Sequence, residues 1–156
     1  MKYETSAGGI VFKKSKDKHT VWLVCQHSKH KGWVFPKGLV GDVDYDESLE
    51  CAALRETKEE GGVETKIVAP LDTPIEYFYT FEGRKIKKKV YYFLMEYISG
   101  DPKNHDWEII DARFVNEDKV SKLLTYQSDR QAFEQALRIY RARSLTDKAS
   151  ASGAGE

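Results

Sequence analysis

The chain of 156 residues is nearly without cysteine: Cys25 and Cys51 are its only two, and their spacing suits no metal site. That excludes a disulfide-stapled scaffold and a thiolate metal cluster. Both thiols read as small, buried or half-buried side chains of a reducing compartment. Net charge is also lacking, because 25 Lys and Arg balance 25 Asp and Glu. A balanced chain has no bulk attraction to nucleic acid. No apolar run approaches the ~18 residues of a membrane span, and Met1-Lys2-Tyr3-Glu4 has no apolar signal core. With a mean hydropathy of −0.60, the protein is expected to be soluble and cytoplasmic, with no membrane partner. Internal repeats are absent too, and this length suits one domain with a proper core.

What is present is punctuated periodicity. Gly8 to Phe12 and Thr20 to Gln26 read as strands, and Trp33 to Phe35 as a short extended piece held by the following proline. A helix is expected from near Asp46 or Glu47 to Gly61, with Leu49, Ala52, Ala53 and Leu54 at helical spacing and Gly61-Gly62 as its stop. Glu64 to Pro70 is extended. Ile75 to Phe81 and Lys89 to Ile98 form an aromatic-rich hairpin about Glu82-Gly83-Arg84, and Asp111 to Val115 is a last strand. Val120 to Leu124 is a short helix. Arg130 to Arg141 is a longer one with Phe133, Leu137 and Tyr140 on one face. Residues 144–156 have no period and are expected to be disordered, which gives a domain over 1–143 and a tail. Strands and helices in this order imply an α/β fold with a mixed sheet and helices on both sides.

The chemistry concentrates in Gly41, Glu47, Arg55, Glu56, Glu59, Glu60 and Gly62. On a helix Glu56 and Glu60 stand four apart and Glu59 three from Glu56, so three carboxylates crowd one flank. Such like charges oppose the helix by roughly 0.2–0.5 kcal/mol per pair, and a divalent cation would reverse the sign. Hard oxygens shared with phosphates suit Mg²⁺. Arg55, four residues before Glu59, has a fork that can hold a carboxylate bidentately and fix the rotamers of the cluster. Glu47 falls in the expected first turn, where the helix dipole favours a carboxylate.

This stretch resembles the Nudix box, G-x5-E-x7-R-E-U-x-E-E-x-G-U with U apolar, and the likeness extends over about residues 3–141. Thr57 departs from the first apolar position, while Val63 fits the second. Pro36-Lys37-Gly38-Leu39-Val40 looks like the usual lead-in to the box, but eight residues separate Gly38 from Glu47. A three-residue insertion within 41–46 accounts for this, so either Gly38 or Gly41 is the glycine whose carbonyl relatives place on a metal. The resemblance implies a Nudix-type α/β/α sandwich and hydrolysis of a pyrophosphate bond. It implies Mg²⁺, with Mn²⁺ as a substitute, on Glu56, Glu59, Glu60 and the Gly38 carbonyl. Arg55 would orient the cluster and Glu47 would brace Arg55 or Glu56. Glu108, ahead of Arg113-Phe114, stands where several branches keep a metal ligand or general base, so Glu108 and Glu56 both remain candidates for the base.

For the substrate, Lys37 lies at the mouth of the box, and residues 84–89 hold five cations in six positions. Lys87 and Lys89 alternate onto one strand face and are candidates for the cleft. Such charge suits a long phosphate chain. Glu76-Tyr77-Phe78-Tyr79, Lys89-Val90-Tyr91-Tyr92-Phe93 and Leu123-Leu124-Thr125-Tyr126 are similar to the asymmetrical diadenosine tetraphosphate hydrolase branch, in which Tyr77 and Tyr126 would clamp adenine. The expected partner is a small nucleoside polyphosphate, split to ATP and AMP. Alternatives are a diphosphoinositol polyphosphate, an RNA 5′ end, and ADP-ribose or a nucleotide sugar. A non-enzymatic binding module would be expected to have lost one of the three box glutamates, and none is lost.

Overall fold

The structure, a computed structural model, describes residues 1–41 and 45–154, with side chains through 146. The expected insertion within 41–46 therefore lies largely outside the described residues. The first strand, β1 (Lys2–Lys14), is buried without a break from Ser6 to Val11. A strand covered on both faces reads as such a run rather than as an alternation. Beside it β7 (Arg84–Gly100) runs parallel, in register from Lys2↔Ile86 to Phe12↔Glu96. The other pairings are antiparallel, so the sheet is mixed. β2 (Thr20–His27) joins β1 to β3 (Trp33–Val34) and to β8 (Ile109–Asn116), β4 (Lys37–Leu39) pairs with β1, and β5 (Val63–Pro70) and β6 (Ile75–Phe81) both pair with β7.

Helices cover both sheet faces. α1 (Leu49–Gly61) sets Ala52 and Ala53 against Ala7, Val11, Leu23, Cys25 and Met95. On the other face α3 (Gln127–Ala154) packs Ala132, Phe133 and Ala136 with Trp22, Phe35, Tyr92 and Leu94, joined by Val120 of α2 (Glu117–Leu123). The result is the expected α/β/α sandwich.

Several boundaries differ from expectation. β7 begins at Arg84, not Lys89, because Glu82 and Gly83 alone make the turn, with φ of 50° and 76°. Both values are positive, as a two-residue type I′ turn requires. α1 begins at Leu49, since Ser48 caps it and accepts the Cys51 N–H at 3.1 Å. Glu47 therefore precedes the helix rather than lying in its first turn. Cys51 sits on the outer face of α1 and is exposed, whereas Cys25 is buried; both are free. The backbone of residues 144–154 continues α3, against the expectation of a disordered tail. Once a helix is nucleated by a packed segment, each further residue adds a hydrogen bond, and an alanine-containing sequence extends it without needing a period.

Thr57 occupies an inward position of α1, fully buried, with no hydrogen-bond partner for its hydroxyl. A side chain on Gly9 of β1 would meet that hydroxyl at 2.5 Å, so the threonine fills space under the strand as an apolar residue would. Thr57→Val removes a buried unsatisfied group and should raise stability by about 1 kcal/mol. Chemical denaturation measures this, and a loss of stability would mean that the hydroxyl is bonded after all.

Candidate active site

The buried stripe of α1 comprises Ala52, Ala53, Glu56, Thr57, Glu60 and Gly61, so two carboxylates lie on the face that packs on the sheet. Opposite them, β4 pairs Gly38 with Ala7 and brings its backbone onto the Glu56 carboxyl, where any Cβ would collide with the carboxyl group. Gly38, not Gly41, is thus the glycine beside the carboxylates. Gly41, at φ 80°, instead donates its N–H to Glu47 Oε1 at 3.2 Å.

Arg55 ties the cluster together. Its Nε and Nη2 grip Glu47 at 2.7 and 2.9 Å, and Nη1 reaches Glu56 Oε1 at 2.7 Å. Glu59 receives only longer contacts of 3.3 and 3.5 Å. The bidentate partner is therefore Glu47 and not Glu59, because residue 47 lies outside the helix and meets the guanidinium fork head-on. Glu59 is the exposed member of the set.

Burial governs the charges. It raises the Glu56 pKa despite the opposing Arg55 hydrogen bond. It pushes Glu60 up to about 8, with the Glu56 charge adding to the effect and Lys37 opposing it. The Arg55 hydrogen bond holds Glu47 below its ordinary value. At Lys37 burial disfavours the ammonium, but Tyr77, Asp129 and Glu60 around it outweigh that and hold its pKa above the ordinary value. Two buried carboxylates that resist ionising together fit a hard dication in their donor chemistry. Among the described residues, no three His, Cys, Asp or Glu side chains form a ready-made metal cage. Mg²⁺ does not need one, since it binds through one or two carboxylates and completes its shell with water and phosphate.

One cavity of about 920 Å³ joins these groups to the rest of the candidates. Glu56, Glu59, Glu60, Gly38, Asp106 and Glu108 line it together with Lys37, Tyr77 and Tyr126. Tyr77 is half-buried and Tyr126 is 41% exposed, with its hydroxyl 3.2 Å from His30 Nδ1. Lys87 and Lys89, expected at the cleft, lie on the opposite sheet face, where both approach Glu76 at 3.7 and 3.4 Å. The lysine of the 84–89 run that lines the cavity is Lys88, directly across from Tyr77 in the β6–β7 ladder. The alternation was right and its phase was off by one, because the true turn is one residue shorter than the one read from the sequence. Residues the sequence reasoning missed include Lys88, His27, His30, Asp106 and Asp129. Asp129 is buried in the first turn of α3 and accepts the Tyr92 hydroxyl at 3.2 Å. Only Lys88 had an available signal, the register of a two-residue hairpin.

The family model of the NUDIX domain matches residues 2–136. A Mycobacterium tuberculosis protein described as a candidate mutator protein, MutT4, is 29% identical over 139 residues, covering 86% of this chain and 54% of that protein. The chain thus spans about half the length of that curated relative. Among solved structures, a Caenorhabditis elegans Ap4A hydrolase binary complex has a TM-score of 0.60 at 22% identity, covering 92% of this chain and 98% of that one. The NUDIX domain of Shewanella oneidensis NrtR, complexed with ADP ribose, has a TM-score of 0.66 at 19% identity, covering 90% of both chains. A MutT protein from Methanosarcina mazei has 0.63 at 21%, covering 91% and 96%. At these identities the structural matches establish the fold.

The raised Glu60 pKa gives a pH signature in metal-free protein. The carboxyl titrates near 8 when folded and near ~4.3 when unfolded. Below the lower value both states are protonated. As pH climbs toward 8 the unfolded chain releases a proton that the folded one keeps, and stability is lost. Glu60→Gln should therefore raise the melting temperature in EDTA, and by more at pH 8 than at pH 5. A gain independent of pH would show that Glu60 ionises normally.

Proposed function

The chain belongs to the Nudix domain family, and from that premise we propose that it is a divalent-metal-dependent pyrophosphohydrolase acting on a nucleoside polyphosphate. Diadenosine tetraphosphate, split to ATP and AMP, is the substrate we favour. The observation that carries this reading is the single cavity that Glu56, Glu60 and Glu108 share with Lys37, Lys88, Tyr77 and Tyr126. Its volume, about 920 Å³, is at the upper end of the ~300–1,000 Å³ of small-molecule sites, with room for a base and a phosphate chain together.

Glu56, Glu60 and the Gly38 carbonyl would hold Mg²⁺ or Mn²⁺, with Glu59 at the outer side. A bound cation would supply charge neutralisation on the phosphate oxygens. Arg55 keeps the Glu47 and Glu56 carboxylates in fixed rotamers. Glu108, at the end of the loop that leads into β8, would take a proton from the attacking water, with Glu56 as the alternative base. Tyr77 and Tyr126 would hold a purine, worth roughly 1–3 kcal/mol per stacked ring. Lys37 and Lys88 meet the phosphates as point charges. Because Lys87 and Lys89 face away, the cavity has less cationic charge than an inositol pyrophosphate would call for, and that alternative loses its main support. No helix among the described residues is long and apolar enough to cross a membrane.

The test is a product assay on diadenosine tetraphosphate, ADP-ribose, triphosphorylated RNA, inositol pyrophosphate and 8-oxo-dGTP. Hydrolysis of the first in ¹⁸O-labelled water should place the label in AMP, because water adds to the phosphorus that becomes the AMP phosphate and the P–O bond to ATP breaks. Label in ATP, or two ADP products, would mean that the base is not fixed by the tyrosines. Faster turnover of any other panel member would replace the favoured substrate.

Lys88→Gln should raise KM for diadenosine tetraphosphate about tenfold, the loss of one charge-assisted contact to phosphate. Lys87→Gln and Lys89→Gln should change it less than about twofold, as expected of exposed ion pairs. Equal effects from all three would return the charge run to long-range electrostatics.

A further inference from the structure

We propose that the open sheet face formed by β1, β7 and β6 is a docking surface for single-stranded nucleic acid, separate from the catalytic cavity. Of the charge run at residues 84–89 only Lys88 lines the cavity, which leaves Lys85, Lys87 and Lys89 without a part in the proposed reaction. Side chains two residues apart share a face of a strand, so these three lie in one line along β7. The ladders set an aromatic ring on each side of that line. Lys87 is in register with Tyr3 of β1 and with Phe78 of β6. Tyr3 is 71% exposed and Phe78 53%. Ring, cation and ring thus form one transverse row, with the two aromatic strands roughly 9–10 Å apart across two inter-strand spacings.

This is the face on which α1 packs, beyond the reach of the helix. Ala7 and Val11 share it with Tyr3, and both are buried with Ala52 and Ala53 of α1. Toward the start of β1 that cover ends, and Thr5 and Tyr3 are exposed. A sheet face turned to water ordinarily carries polar side chains. Here two large rings stand in water beside three ammonium groups. The Nζ atoms of Lys85 and Lys87 lie 4.7 and 5.8 Å from the Phe78 ring centroid. In the neighbouring row Lys89 is in register with Thr5 and with Glu76. Glu76 is shared by Lys87 and Lys89 at 3.7 and 3.4 Å, so one carboxylate faces three cations and the group keeps a net positive charge. Exposed pairs of this kind are weak, and a phosphate can replace the carboxylate.

The combination of rings and cations selects the partner. Lysines alone would suit any polyanion, an acidic peptide included, but such a peptide has no use for two ring faces. A single strand of nucleic acid uses both, because its unpaired bases stack on aromatic side chains while its backbone follows the ammonium groups. A duplex keeps its bases stacked on one another and would meet only the charge. The chain as a whole is neutral, so the attraction is confined to this face.

The probe is a fluorescein-labelled, 5′-hydroxyl oligouridylate of about 10 nucleotides, within the ~4–16 that single-strand sites occupy, titrated in EDTA. It carries no pyrophosphate, so the cavity has nothing to hydrolyse. Anisotropy should show binding that weakens with salt. Lys85→Gln/Lys87→Gln/Lys89→Gln should cut the slope of log affinity against log salt by about 2, three phosphate contacts at ~0.7 each. Tyr3→Ala/Phe78→Ala should weaken binding at least about tenfold and leave that slope unchanged. Tyr3→Trp/Phe78→Trp keeps both rings and should bind as wild type does. The lysine variant and Tyr3→Ala should keep KM for diadenosine tetraphosphate within about twofold of wild type, so failure of this surface and failure of the cavity reading are told apart. No binding at low salt overturns the proposal, as does an alanine pair that binds like wild type. Equal affinity for a duplex of the same length, or for oligoglutamate, would reduce the face to charge alone and overturn it too. Self-association that Phe78→Ala abolishes in sedimentation would make the face an interface between copies of the chain instead.

Discussion

Burial of two carboxylates on the inner stripe of α1 is the constraint to which the rest of the site responds. Taking an ionised carboxylate out of water costs several kcal/mol unless partners compensate. Glu56 receives the Arg55 guanidinium, and Glu60 lies within the field of Lys37 and 3.4 Å from its backbone N–H. Arg55 must itself be held, and the residue that holds it, Glu47, is placed outside the helix by the Ser48 cap. Burial that these partners do not fully offset is what raises the Glu56 and Glu60 pKa values, and it is the feature a dication would relieve.

The cavity draws its lining from elements on both sides of the sheet. The glutamates come from α1 on one side, while Asp129 and the tyrosine-bearing elements belong to the side covered by α3. β4 is only three residues long, and alternation within it sets Gly38 beside Glu56 and Lys37 among Tyr77, Asp129 and Tyr126. A longer strand would wall one side from the other. The short one lets Gly38, Lys37 and the glutamates line the same cavity.

Much of this was legible in one dimension. The 3.6 period and the Gly61-Gly62 stop located α1, and β6 was read to its ends. The hairpin between β6 and β7 was seen as well, but its turn was taken one residue too long. In a ladder of period two that single residue moves every side chain to the other face, so Lys87 and Lys89 were chosen where Lys88 lies. The helical continuation past Arg143 was missed because helix propagation requires no apolar pattern once packing has nucleated it.

The sequence by itself determined the family, the fold class and the identity of the clustered carboxylates, because each rests on local spacing: one face of one helix brings Glu56 and Glu60 together wherever that helix is placed. Only the tertiary structure decided which glycine meets them, that Glu47 rather than Glu59 takes the arginine fork, and that His27, His30 and Asp129 share their cavity. Those contacts join segments far apart in the chain. Their geometry depends on strand register, turn length and cap position together, and no short-range pattern encodes that combination.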